Sequence, residues 1–190
     1  MSTIRFMSMA RTLQTVVPCQ SIMCMVPSST GNGTIGLSVS DPTIGYAIPV
    51  QRRNTSKDHT FWQYLIKTQK IGGILVAPNP GQAPACGVQL IQHTDRRAED
   101  FRKFLSELEE LHEVITASGI QAITKWENLS LDFKAVEREC RTNDWWTFLA
   151  ENVMANGKLS SSLDVNLQSS IMLQSFLFNT VEPGFGVKEI

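Results

Sequence analysis

No glutamate precedes Glu99. Ahead of Asp95 the only acids are Asp41 and Asp58, against seven Lys and Arg; from Asp95 onward there are sixteen acids and ten bases. The first stretch is net +5 and the second net −6, in a chain whose total is −1. Glutamate favours helix and is depleted in strands, so a boundary in charge is also a boundary in structure. The pattern predicts an α+β protein. An N-terminal antiparallel β unit (sheet, sandwich or barrel-like), residues 1–93 and basic, precedes a C-terminal acidic unit of three to four helices, residues 94–190.

Local signals agree with that division. Ser21–Val26 is a short apolar run closed by Pro27. Asn32-Gly33 marks a hairpin, because both residue types tolerate the positive φ of a tight strand turn. Thr34–Ser40 then alternates, with Ile35, Leu37 and Val39 on one face, the cleanest period-2 pattern in the chain. Asp41-Pro42 makes a turn, and Ile44–Val50 resumes the alternation. Phe61–Lys67, Ile71–Ala77 and Val88–His93 read as further strands. With no helical pattern between the strands, no parallel crossover is expected. The three prolines within Pro78–Pro84 exclude regular structure there.

Beyond His93 the period changes. Phe101, Phe104, Leu105, Leu108, Leu111 and Ile115 follow helical spacing, with Thr94 or Asp95 as the starting cap and Ser118-Gly119 as the stop. Further helices are expected over about Asp132–Arg141, from Asp144 to Asn156-Gly157, and from Ser162 through Phe176–Phe178. The chain is long enough for one sizeable core, and no apolar run reaches the eighteen residues of a membrane span. Met1–Gln20 lacks the compact apolar stretch of a secretory signal. Four cysteines without a CxxC pair then imply reduced thiols in an intracellular, cytoplasmic-type compartment.

Few residues carry chemistry. Gly31-Asn-Gly-Thr-Ile-Gly36 matches a dinucleotide fingerprint, but alternating β residues follow it, leaving no helix N-terminus for a phosphate. A hairpin explains it, and no cofactor is expected. Cys19 and Cys24 form at most half a metal site, so no metal is expected either. Cys86 and His93, with Asp95 sharing a strand face with His93, form the one nucleophile–base set, without a protease signature around it. It stands for a small cysteine-dependent hydrolase or transferase.

A basic, aromatic segment holds Arg52, Arg53, Lys57, Trp62, Lys67 and Lys70. Cations for phosphate and rings for bases are what single-stranded RNA binding combines. Trp145 and Trp146 lie about 100° apart on a helix and cannot share one narrow stripe. With Phe176 and Phe178 they are candidate interface anchors. Charged residues make up 18% of the chain, below the usual quarter, and a weakly self-repelling surface suits assembly. The function expected is a non-enzymatic assembly or interaction protein that self-associates, of the kind found among viral structural or accessory proteins. Single-stranded RNA binding through residues 52–70 is the alternative.

Overall fold

The computed structural model describes Val16 and residues 20–28, 33–43, 45–50, 54–55, 57–79, 88–120, 122–125, 144–152 and 161–181. Among them the chain is mixed α/β: strands β1 (Ser21–Pro27), β2 (Thr34–Ser40), β3 (Ala47–Pro49) and β4 (Asn54–Thr55), helix α1 (His59–Thr68), β5 (Ile71–Val76), α2 (Val88–Ala117), β6 (Ala122–Lys125), α3 (Asp144–Asn152) and α4 (Ser161–Val181). Among the described residues four strands come before the first helix, but the Glu-free stretch also holds α1 and the start of α2. From α1 to α3 helices and strands alternate, and α4 follows α3.

The strands form one sheet in the order β3-β2-β1-β5-β6, with β4 also on β2. The β1–β2 hairpin is antiparallel, Met23 opposite Val39 and Met25 opposite Leu37. Gly33 turns it at φ +68°, a conformation glycine adopts without strain. The other half of the sheet corrects the all-antiparallel expectation: β5 runs parallel to β1, and β6 parallel to β5. Phe61–Lys67 and the Val88–His93 segment are helical, not strands, and these helices make the crossovers that parallel pairing requires. The boundary at residue 93 therefore falls inside α2, and β6, from the acidic stretch, pairs with β5 from the basic one.

Helices cover both faces of the sheet. One face packs Met23, Met25, Leu37, Val39, Ile74 and Val76 against Trp62, Leu65 and Ile66 of α1 and Phe101, Phe104, Leu108, Leu111 and Ile115 of α2. All five of those α2 residues were expected inward. The other face packs Ile22, Cys24, Val26 and Leu75 against Trp145 and Leu149 of α3 and Ile171, Leu173 and Phe176 of α4. All seven residues of β1 are buried. A strand covered on both sides loses its alternation and reads as a continuous apolar run, as Ile22–Val26 does.

α4 lies across β1, β2 and β3, and it buries polar side chains there. Asn166 accepts from the Leu37 N–H at 2.8 Å and donates to the Val50 carbonyl at 2.6 Å. Two turns on, Gln174 accepts from the Ala47 N–H at 2.8 Å and donates to the Gly45 carbonyl at 2.9 Å. Trp145 donates its indole N–H to the Ala47 carbonyl at 2.7 Å. Ser169 donates to the Cys24 carbonyl at 2.9 Å, and Ser38 bonds the Ser169 hydroxyl at 2.9 Å. Buried peptide groups must find partners: Asn166 supplies them at Leu37 and Val50, Ser169 at Cys24 of β1, and Gln174 and Trp145 at Ala47, on the edge strand β3, which would otherwise offer a template for strand pairing.

Candidate functional site

Helix α1 starts at Asp58, whose carboxylate accepts from the Phe61 N–H at 3.2 Å. This is the N-cap arrangement that satisfies a free helix donor. Trp62, Leu65 and Ile66 face the core at i, i+3 and i+4. The Trp62 indole N–H donates to the Thr55 carbonyl at 3.0 Å, tying the helix to β4. The helix ends at Gln69, and Lys70, at φ +48°, turns the chain into β5.

The opposite side of α1 faces solvent. His59, Thr60, Gln63, Tyr64 and Lys67 are exposed there, with Lys57 and Lys70 exposed at the two ends. Tyr64 is 64% exposed, the most open large apolar side chain among the described residues. Asp58 is the only acid between Lys57 and Lys70, and its carboxylate serves the cap. The face is therefore cationic, with one projecting aromatic ring.

Helix α2 packs beside α1 on the same side of the sheet. Its outward positions include Glu99, Arg102, Lys103, Glu109 and Glu113, all exposed. From Ser106 to Ala117 it carries Glu107, Glu109, Glu110 and Glu113 and no Lys or Arg. A basic helix and an acidic helix end thus lie side by side.

Two concave places are small or filled. A cavity of about 50 Å³ lies between the hairpin residues Pro27, Ser28 and Thr34 and the α2 residues Asp100, Lys103 and Glu107. It holds water at most, since ligand pockets run to hundreds of Å³. Open α/β sheets usually place ligands beyond the carboxyl ends of neighbouring parallel strands, where strand order reverses. Here that place lies beyond Pro27 and Val76. Asn79 is buried in it, donating to the Pro27 carbonyl at 2.8 Å and to the Gln168 side chain at 3.1 Å. Among the described residues no three of His, Cys, Asp or Glu are grouped to hold a metal ion.

Two shifted groups have structural causes. Burial raises the Asp41 carboxyl, but the Thr43 hydroxyl and the N–H groups of Tyr46, Gly45 and Thr43 donate to it and hold it below its ordinary value. These bonds shape the β2–β3 turn, where Tyr46 also stacks on Phe148 of α3 with ring centres 5.2 Å apart. Burial pushes the Cys24 thiol up to about 12, against smaller opposing effects of Ser169 and the Met25 backbone.

No family model and no curated protein matches the chain. Among solved structures it is similar to T. thermophilus RuvC in complex with Holliday junction substrate, at 11% identity and TM-score 0.42, over 83% of this chain and 93% of that one. That likeness is too distant to carry an argument about activity.

Lys57, Lys67 and Lys70 are exposed around α1, whereas Trp62 is buried and hydrogen-bonded, with no free face for a base. Arg52, Arg53 and Cys86 lie outside the described residues. His93 and Asp95 sit in α2, and positions two apart on a helix lie about 200° apart, so the shared strand face does not exist. Trp145 and Phe176 are fully buried in the chain's own core; Trp146 and Phe178 are partly exposed at its margin. Tyr64 belongs to the same basic, aromatic segment. A strand reading puts it on the same face as Trp62, whereas a helix puts it outside. The signal for the helix was available: Trp62, Leu65 and Ile66 at helical spacing behind Asp58.

Proposed function

We propose that this is a non-enzymatic interaction protein that self-associates, with the solvent face of α1 as its contact surface. The observation that supports it is Tyr64, an exposed ring flanked by Lys57, Lys67 and Lys70. Aromatic side chains bury a large area at small entropic cost, and they dominate the energy of contacts. Surrounding lysines add register and association rate. Light scattering at low salt, from about 10 μM to about 1 mM chain, tests the reading. The expected result is a mass above that of one chain, reduced by Tyr64→Ala without loss of thermal stability. A strict monomer at low salt refutes it.

The same observation favours one second reading, binding of single-stranded RNA. Stacking is sequence-tolerant, because every base has a face, and the lysines suit a phosphate backbone. With Trp62 buried, Tyr64 carries the stacking. A fluorescent RNA oligomer should then bind more weakly as salt rises, and Lys67→Ala should lower the slope of that dependence by about 0.7. Binding that ignores salt, or is unchanged in Tyr64→Ala, removes this reading.

A further inference from the structure

We propose that two copies associate face to face through the α1–α2 layer, about a twofold axis lying along the seam between the two helices. This deepens the self-association reading above and rests on it. β5 and β6 are parallel and joined by α2, so α2 runs back against both. α1 enters β5 through the tight turn at Gln69-Lys70, so it also runs against β5. The helices are parallel to each other, with their C-terminal ends at the end of the sheet where β5 and β6 begin. α1 has ten residues, about 15 Å, and therefore lies beside the last third of the thirty-residue α2. That third carries the exposed Glu109 and Glu113.

A twofold axis along the seam keeps height and exchanges left for right. It sets α1 of each copy over α2 of the other. Lys57, Lys67 and Lys70 of one copy then face Glu109 and Glu113 of its partner, twice over. Opposite charges meet in both halves of one closed contact. The contact is closed rather than head-to-tail, because the two charge types lie side by side on one layer rather than at opposite ends of the molecule. Tyr64 projects from α1 into the contact. Two helices 8–10 Å apart present a face about 20 Å wide, so α1 and its neighbour cover roughly 300 Å² per copy. A standard interface covers about 800 Å² per partner. The dimer is accordingly weak and sensitive to salt.

Charge reversal tests the geometry on the full chain. The variant Lys57→Glu/Lys67→Glu and the variant Glu109→Lys/Glu113→Lys alter only exposed positions, and circular dichroism checks their folding. Sedimentation at low salt should show each variant alone dimerising at least about tenfold more weakly than the parent. An equimolar mixture should recover association at the parent level, and the mass should stop at two copies. A monomeric parent would sink the self-association reading itself. A parent that associates but ignores both reversals, or whose mass grows past two copies with concentration, would overturn the twofold arrangement alone.

Discussion

At the scale of single residues, two positions hold the hairpin region in shape. Gly36 lies where α4 crosses β2. A Cβ there would stand 2.2 Å from the Val165 carbonyl oxygen and 2.7 Å from a Val26 methyl. Backbone cannot yield as a side chain tip can, so Gly36→Ala should lower stability by at least about 1–3 kcal/mol in urea unfolding. An unchanged midpoint would mean that α4 does not approach so closely. Asp41 makes the second prediction. Its carboxyl is held below the ordinary value of 3.8 by the bonds it accepts. Its stabilising contribution is therefore complete above that value and is lost as pH falls through the lower, folded one. Asp41→Asn should flatten the acid limb of stability against pH. If parent and variant lose stability in parallel below pH 4, the turn bonds do not act this way.

At the scale of elements, α4 is the least conventional part. A helix against a sheet normally presents an apolar stripe. α4 instead buries Asn166, Ser169, Ser170 and Gln174 beside its apolar residues. Asn166 serves Leu37 and Val50, close to where β2 exchanges one neighbour, β3, for the other, β4. Asn166→Leu would leave a buried N–H without its acceptor. The cost should be about 1–3 kcal/mol despite the added apolar volume. Gain of stability on chemical unfolding would show that water reaches these groups. The contrast with α2 is instructive. Its Phe101–Ile115 stripe was readable because ordinary periodicity governs it. α1 was misread because ten residues hold only three inward positions, and the apolar Phe61 and Tyr64 on its other sides blur the period.

At the scale of the whole molecule, β1 is the centre. It pairs on both edges and is covered on both faces. Cys24, on that strand, is fully buried. Its thiol should react with an alkylating reagent only when the sheet opens, so peptide mapping should find it labelled at the rate of global unfolding. Labelling within seconds at neutral pH would contradict this placement. The same burial has an alkaline consequence. The thiol is raised to about 12 in the folded chain, against about 8.5 unfolded. Only the unfolded chain ionises it between those values, so stability should fall as pH rises through that window.

The sequence alone determined what depends on near neighbours along the chain: the hairpin at Gly33, the strands on either side of it, the inward face of α2 and its stop at Gly119, where φ is +82°. It also located the cations of the candidate surface. Only the tertiary structure decided which strands adjoin, since β1 and β5 meet across some fifty residues and no local pattern records a partner. It decided that Tyr64 faces out while Trp62 faces in, because that depends on which side of α1 the sheet occupies. It decided too that Asn166 and Gln174 are interior residues. Their polarity reads as surface until the unpaired peptide groups they satisfy exist, and those groups appear only when β2 and β3 have assembled beneath α4.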